Sequence, residues 1–519
     1  MTGGRADLPQ QAPGLPSGES QYSSALANTL AAALMLAVAA FYLATLRDGH
    51  DWGDDFALYI HHAKNIVEGR SYTDIGLIQD PARPQIDRAP PGFPLLLAPV
   101  YWAFGLDLTA MKVEVILFFA ASLAMVWLLF RKELPSPYPL ALVALVGFQP
   151  LMWEYKDMVL SDFPFLFLLY LGMLVYRQAQ TAERDWKRQA GWAAGAGVCV
   201  YAATATRMLG VVFVASIIAS DLLRVRRVSR AAWIMAGVFL VLFELQRLWL
   251  PADQGYVQQS QFDLRVILGN LQVYWNELRG LWKGHKGFVQ LLLRAGALGL
   301  ALIGLLWRCR RGVSALEVFF VLYVASLLVW SFHDKRYLIP VVPLCMLYWC
   351  SGLVQVQRRL GRSGRAVALI LVVVLLGGYA VWYTKMLRRP LEQGIGTPAC
   401  QEVFRYVRDH TDQRDVLVFI KPRALALFTG RQASPCPEAD DDSVLRHFGE
   451  IRASYALVGP EHSSRVLREE GEPLRRLVEG HPEQFALVYM NEDFQLYHFA
   501  PARDTRLRSP SWREAERAR

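Results

Sequence analysis

Long apolar runs alternate with short polar or basic connections along most of this chain. Runs near the length that crosses a bilayer, about 17–25 residues, fall at 23–46, 109–130, 136–153, 159–176, 190–205, 208–223, 231–250, 288–307, 315–332, 337–356 and 366–384. The pattern therefore predicts a polytopic α-helical membrane protein with about eleven transmembrane helices. The stretch 190–223 is read as two short spans meeting at Thr206-Arg207. As one helix it would be roughly 50 Å long against a ~30 Å hydrocarbon core, and it would bury an arginine mid-run. Two other stretches predict interfacial helices in the first outer loop, 47–108. Residues 92–105 are short and broken by proline. Residues 56–69 place Phe56, Tyr59, Ile60, Ala63, Ile66 and Val67 at helical spacing, with His61, His62, Lys64, Asn65 and Glu68 on the other side. That is the pattern of a helix lying on the bilayer. Adjacent histidines point to different helix faces, so His61-His62 reads as solvated surface and not as a metal pair.

After about Pro390 the periodicity changes. Helices are expected at 400–411, 422–430 and 443–452, and strands at 415–420, 454–459, 484–490 and 494–499, the last two joined through Asn491-Glu492-Asp493. This predicts a small α/β domain over 389–502, following a transmembrane domain over 23–388. Residues 1–22, rich in Pro, Gly, Ser and Gln, and the charged stretch 503–519 read as disordered tails.

Composition agrees with a membrane protein. Of 519 residues, 53% are hydrophobic, and the mean hydropathy is +0.21. The net charge of +9 says less than where the cations lie, and nothing points to nucleic acid. Basic clusters follow alternate spans: Arg131-Lys132; Arg177 to Arg188; Arg224 to Arg230; Arg308 to Arg311; Arg358 to Arg365. The positive-inside rule puts these loops in the cytoplasm. The first outer loop and the C-terminal domain are then extracytoplasmic, and the chain is expected in the plasma (inner) membrane. Trp52, Trp102, Trp153, Tyr337 and Trp349 read as interfacial belts.

The outer face collects the unusual polar residues. Asp54-Asp55 follows the first span directly, and ionised groups beside hydrocarbon are functional candidates by default. Asp87 and Arg88 precede Pro90-Pro91-Gly92-Phe93-Pro94; Lys156 precedes Ser161-Asp162; Arg207 sits between two spans; Lys335-Arg336-Tyr337 opens another. Plainer roles exist for several of these: either aspartate of the pair or Asp162 as a helix cap, Lys156 as a snorkelling flank. A site that accepts a phosphate-linked substrate needs cations for the phosphate and a carboxylate as base. Cys400 and Cys436, the two cysteines of the outer domain, are candidates for a disulfide in an oxidising compartment. The chain has no Gly-rich nucleotide loop, no CxxC and no nucleophile elbow.

The pieces Gly53-Asp54-Asp55, Ala63 to Arg70, Pro90 to Leu97, Ser161-Asp162, Thr206-Arg207, Arg336 to Pro340, and Pro422-Arg423-Ala424-Leu425 before Thr429-Gly430-Arg431 are ordered and spaced along most of the chain. In that arrangement the sequence resembles the type C glycosyltransferases, above all the bacterial relatives of protein O-mannosyltransferases and lipid A aminoarabinose transferases. The resemblance implies an inverting transfer from a polyprenyl-phosphate sugar to a glycan, lipid or protein acceptor at the outer membrane face. It implies Asp54, Asp55 and Asp162 as catalytic carboxylates. Arg88, Arg207, Lys335 and Arg336 are then donor-phosphate ligands, and Tyr59, Asp87, Lys156 and Tyr337 contacts to donor or acceptor. It leaves a divalent metal open and its ligands unknown, with no cofactor certain. One departure stands out: Asp87-Arg88-Ala89-Pro90 replaces the Glu-Lys-Pro run of the aminoarabinose transferases. Two other classes compete: a transporter or lipid flippase, and a non-catalytic subunit of a cell-envelope complex. Transporters usually place charges at the bilayer midplane and show internal repeats, and neither is visible here.

Overall fold

The apolar runs fold as helices packed side by side, with their outward residues apolar. The structure, a computed structural model, describes residues 21–79, 88–250, 263–278, 288–330, 334–389, 391 and 394–501; the expected tail 503–519 lies wholly outside these, as does the tail 1–22 except for its last two residues, and so does Asp87. The helices are α1 (Gln21–Ala44), α2 (Asp55–Glu68), α3 (Gly92–Phe104), α4 (Leu108–Phe130), α5 (Tyr138–Gly147), α6 (Pro150–Tyr155), α7 (Asp162–Thr181), α8 (Trp186–Thr206), α9 (Val211–Val225), α10 (Arg230–Trp249), α11 (Leu264–Leu278), α12 (Phe288–Arg311), α13 (Ala315–Leu328) and α14 (Val342–Met386). Among the described residues, six helices are long and apolar enough to cross a membrane: Ala25–Ala44, Leu108–Phe130, Met208–Val225, Arg230–Trp249, Lys335–Gly361 and Ser363–Met386. Leu36, Leu248 and Ile370 on these helices are more than half exposed, a placement that suits acyl chains and not water.

The expected spans are changed in two places. Residues 136–153 do not form one helix: α5 ends at Gly147 and α6 starts at Pro150. Proline cannot donate to the preceding turn, so the helix stops. The carbonyls released there are taken up by side chains. Tyr42 Oη donates to Gly147 O at 2.8 Å, and Tyr383 Oη donates to Phe148 O at 3.1 Å. The spans expected at 337–356 and 366–384 run together in α14, broken at Gly361, where φ is 59°. The 190–223 stretch divides at Arg207, as the length argument requires. Helix α11 was not foreseen; its alternation of Leu264, Leu268, Leu271 and Trp275, all exposed, with buried Asn270 and Tyr274 is that of a helix lying on a surface.

Helix α2 is amphipathic, but much of its polar side is not solvated. His61, His62 and Asn65 are buried beneath residues 72–75 and 89. His62 Nδ1 bonds Tyr72 O at 2.6 Å, its Nε2 accepts from Ala89 N, and Asn65 Nδ2 donates to Asp74 O at 2.7 Å. With Nδ1 donating and Nε2 accepting, His62 is a neutral strut. Burial, reinforced by Lys64, His62 and Arg70, drives the His61 pKa down to about 3. The aromatic residues expected at membrane interfaces are likewise mostly interior: Trp52, Trp153 and Trp349 are nearly fully buried, and Trp102 is exposed.

The C-terminal segment is a three-layer α/β unit. It comprises α15 (Pro398–His410), β1 (Val416–Val418), α16 (Pro422–Thr429), β2 (Gln432–Ser434), α17 (Asp441–Glu450), β3 (Ala453–Val458), α18 (Arg465–Gly480), β4 (Phe485–Met490) and β5 (Gln495–Phe499). The sheet order is β2-β1-β3-β5-β4. Strand β1 is parallel to β2 and β3, and β5 is antiparallel to β3 and β4. Strand β2 is only three residues long, and α18 contains Gly471 and Pro473 with only Leu474, Leu477 and Val478 buried, so neither was apparent from periodicity. Cys400 and Cys436 are not joined by a disulfide. Cys400 is packed into the main core and Cys436 lies against a separate cluster around Val444 and Phe448.

This outer unit is locked onto the first loop. Residues 76–78 extend the sheet beyond β2: Ala433 N donates to Gly76 O and Ile78 N to Ala433 O, both at 2.8 Å. The Trp52 ring lies edge-on to Phe404, Phe419 and Phe494, with centroids 5.7–6.3 Å away. Gly394 and Gly396 press against the backbone of Gly49 to Asp51 so closely that a Cβ on Gly394 would fall 1.8 Å from His50 O.

Close backbone approach also sets the helix packing. A Cβ on Gly304 of α12 would lie 1.8 Å from Tyr348 O, and one on Gly352 of α14 2.0 Å from Leu300 O; small residues at such crossings let membrane helices meet. Overpacking costs about 1–3 kcal/mol. Gly304→Val is therefore expected to lower the melting temperature of the detergent-solubilised protein by several degrees. Gly299→Ala, where a Cβ meets nothing within 4 Å, should leave it level or raise it slightly.

Candidate functional site

Three chain reversals meet at one end of the helix layer: the start of α2, the start of α7 and the end of α8. Helix α7 fixes which end this is. Asp162 stands at its first turn and Arg177 near its last, about 22 Å apart along the axis. At the Arg177 end, Glu133 takes Arg177 and Arg308 at 2.9 Å each, and Arg308 holds Glu317 at 2.8 Å. That network ties α4, α7, α12 and α13 together on the side of the basic loops. The Asp162 end carries the candidate chemistry.

Hydrogen bonds across the reversals set the registration. Val159 N donates to His50 Nε2 at 2.9 Å, which leaves His50 Nδ1 to face Asp51 Oδ1 at 3.1 Å. Tyr59 Oη and Ser161 Oγ are 3.2 Å apart. The glycine of the Pro-Pro-Gly-Phe run has a plain reason: a Cβ on Gly92 would lie 2.7 Å from the backbone of Ala205 and Thr206. Helix α3 thus starts in direct contact with the end of α8, next to Arg207.

Asp55 is the carboxylate with most access; its side chain is 41% exposed. Arg336 NH2 reaches its Oδ2 at 2.6 Å, and Arg423 NH1 lies 3.7 Å from its Oδ1. Burial raises its pKa, but Arg336 and Arg423 outweigh burial and hold it below the usual carboxylate value. Asp54 is turned the other way. Its Oδ1 accepts from Ala424 N at 3.2 Å at the start of α16, and its Oδ2 lies 3.6 Å from Arg423 Nε. Burial is the larger influence and leaves it above the usual value, against Arg423 and Lys421. Asp54 precedes α2 but makes no side-chain cap bond to it, so capping does not account for it.

Arg207 and Asp162 form a nearly buried ion pair, and the other carboxylate oxygen of Asp162 is buried without a hydrogen-bond partner. The Tyr337 ring is near two cations, 5.2 Å from the Arg207 guanidinium and 5.4 Å from that of Arg336. Asp334 anchors the segment: it accepts from Tyr155 Oη at 2.6 Å and Arg336 N at 3.0 Å, and pairs with Arg336 Nε at 3.2 Å.

Asp54, Asp55, Tyr59, Asp162, Arg207, Arg336 and Tyr337 therefore come together. Lys335 stands beside them, paired with Glu154, and Arg88 lies half-buried on the approach to α3. Lys156 belongs elsewhere. Its Nζ donates to Thr45 O at 2.5 Å and Asp157 Oδ1 at 2.6 Å, while Arg47 holds Asp157 Oδ2 at 2.6 Å. Burial brings the Lys156 pKa down to about 8 against the pull of Asp157. It clamps the end of α1, and that role replaces the contact to donor or acceptor expected of it. Arg423 and Asp334 were missed as site residues, although Arg423 stood in the Pro422-Arg423-Ala424-Leu425 run and Asp334 directly before Lys335. Among the described residues no group of three His, Cys, Asp or Glu side chains is placed to hold a metal.

No protein-family model matches the chain, and no curated protein does. Solved structures do match. The chain superimposes on ArnT from Cupriavidus metallidurans bound to undecaprenyl phosphate with a TM-score of 0.58 at 13% identity, over 92% of this chain and 98% of that one. The apo state of the same protein gives 0.60 over the same shares. The archaeal oligosaccharyltransferase AglB from Archaeoglobus fulgidus, in complex with an inhibitory peptide and a dolichol-phosphate, gives 0.58 at 11% identity, over 94% and 76%.

Removing one partner of a buried pair leaves an uncompensated charge and costs about 3–5 kcal/mol. Arg207→Ala should therefore destabilise the protein strongly. Adding Asp162→Asn to it should recover most of the loss, as read from thermal unfolding in detergent. A double variant no more stable than Arg207→Ala would mean that the two side chains are not coupled.

Proposed function

From the type C glycosyltransferase fold that the chain shares with these transferases, we propose that it is an integral membrane glycosyltransferase. It moves a sugar from a polyprenyl-phosphate donor to an acceptor at the extracytoplasmic face, with inversion. On this reading residues 23–388 form the transferase domain, with α5 and α6 together, α7, α8, α12 and α13 completing eleven spans, and 389–502 form an extracytoplasmic domain. The basic loops at the Arg177 end face the cytoplasm. The observation that carries the proposal is the meeting of Asp55, Arg336, Arg207 and Asp162 at one end of the helix layer. Carboxylate and cations are close there, which the transfer requires.

In the transfer, an acceptor hydroxyl attacks the anomeric carbon and the bond from that carbon to the phosphate oxygen breaks. The electron pair leaves with the polyprenyl phosphate, and the hydroxyl proton passes to a carboxylate. Asp55 suits the last role because it is the accessible member of the pair and ionised. Arg336 and Arg207 suit the leaving phosphate, since fixed cations stabilise charge where it develops. Arg88 and Lys335 flank them, and Tyr337 offers its ring to both arginines. The unpartnered oxygen of Asp162 and the hydroxyl of Tyr59 are groups for the sugar or acceptor. The two solved neighbours in lipid complexes carry undecaprenyl phosphate and dolichol-phosphate, and a lipid-linked donor suits a face with no nucleotide-sugar supply.

Purified protein offered a panel of synthetic undecaprenyl-phosphate monosaccharides, with envelope extract as acceptor, should release undecaprenyl phosphate from at least one of them. Asp55→Asn should lower that rate by at least about 10²-fold, the usual worth of a positioned acid or base. The Asp54→Asn, Asp55→Asn pair should abolish it. Full turnover by the pair would refute the assignment.

A further inference from the structure

We propose that Arg423, carried by the outer domain, is a positioning residue of the reaction centre: it holds the Asp54 and Asp55 carboxylates in place from across the domain junction. The proposal rests on the transferase reading for its catalytic meaning, but its geometry stands alone.

Arg423 is only 7% exposed. Its Nε faces Asp54 at 3.6 Å and its NH1 faces Asp55 at 3.7 Å, so one guanidinium spans two successive carboxylates. The adjoining Ala424 N–H is donated to Asp54. The first turn of α16 thus offers the pair a side-chain cation and a backbone donor together. Two neighbouring carboxylates resist joint ionisation unless cations compensate them. Asp54 and Asp55 face Arg336 from the turn before α14, Arg207 from the end of α8, and Lys421 and Arg423 from the outer domain. Among the ion pairs of the described residues, Arg423 is the cation that reaches both.

The placement of Arg423 is fixed by several contacts. Strand β2 follows α16 directly and takes residues 76–78 as an added strand, while Trp52, two residues before Asp54, is inserted among Phe404, Phe419 and Phe494. The same loop that carries the acidic pair is therefore bound to the domain that carries Arg423. The outer domain completes the reaction centre.

The test is a thermal-stability cycle on the full-length protein in detergent at pH 5 and pH 7.5, with Arg423→Gln, Arg423→Lys, the Asp54→Asn, Asp55→Asn pair, and the triple variant. Without Arg423 both carboxyls rise in pKa. A carboxyl raised in the folded state keeps its proton longer than in the unfolded chain, so stability falls as pH rises through that window. The Arg423→Gln deficit should be several degrees larger at pH 7.5 than at pH 5. Arg423→Lys should restore most of it, and the pH dependence should vanish in the asparagine background. A deficit equal at both pH values, or one that persists in that background, would overturn the proposal. If Arg423→Gln alone does not fold, the triple variant is expected to fold, and its failure would be equally decisive against. In the donor assay, the acid limb of the rate profile should move up by about one pH unit in Arg423→Gln. Absence of turnover in the unmodified protein would overturn the transferase reading while the stability cycle still decides the role of Arg423.

Discussion

Charge compensation at the end of the helix layer is the constraint on which the rest of this structure depends. Carboxylates drawn into a protein interior are tolerated only when cations and donors surround them. Here Asp55 meets Arg336 and Arg423, Asp54 meets a helix N-terminus and Arg423, and Asp162 meets Arg207. These cations come from the end of α8, the turn before α14 and the outer domain, regions far apart in sequence. Packing and charge therefore depend on each other: the cluster needs the fold to assemble it, and the charges stay compensated only if the fold is kept.

The supporting contacts read differently in that light. The Lys156-Asp157-Arg47 clamp fixes where α1 ends and the first loop begins. His50 links that loop to Val159, just before Asp162. Gly92 lets α3 touch the end of α8 beside Arg207. None of these groups needs to touch a substrate. Each removes a degree of freedom from a side chain that does face the centre, and buried, satisfied hydrogen bonds are the stiffest way to do so.

Much of the membrane architecture was legible from hydrophobic run length, because helices that face lipid must be continuous and apolar. The failures have physical causes. The 136–153 run looks like a span by composition, yet Pro150 removes a donor and the Tyr42 and Tyr383 hydroxyls make the break tolerable; sequence does not show such remote partners. Helix α2 has the right period, but His61, His62 and Asn65 of its polar side are buried, so amphipathicity gave the helix and misplaced the water. In the outer domain, β2 and α18 carry too little periodic apolar signal to be seen. For the site, residue type and membrane face brought out Asp54, Asp55, Asp162, Arg207 and Arg336. Lys156 shared both attributes and turned out to be a clamp, because sequence gives no pairing. Arg423 was written in a motif of the outer domain, more than 360 positions from the pair it faces, and only tertiary contact reveals it.

The two aspartates illustrate how position within one dipeptide divides labour. Successive residues at a helix start point in different directions, and here the directions lead to different domains. Asp54 turns toward α16 and is shut in by Ala424 and Arg423. Asp55 turns toward Arg336 and keeps an open side. A carboxylate that is shut in and raised in pKa is ill placed to meet an acceptor, whereas one that is open and ionised can accept a proton from it. On the proposed transfer, the pair is an anchor and a reacting group and not two equivalent acids. The register of α2, fixed by His62, Asn65 and Tyr59, sets which of the two meets Arg336.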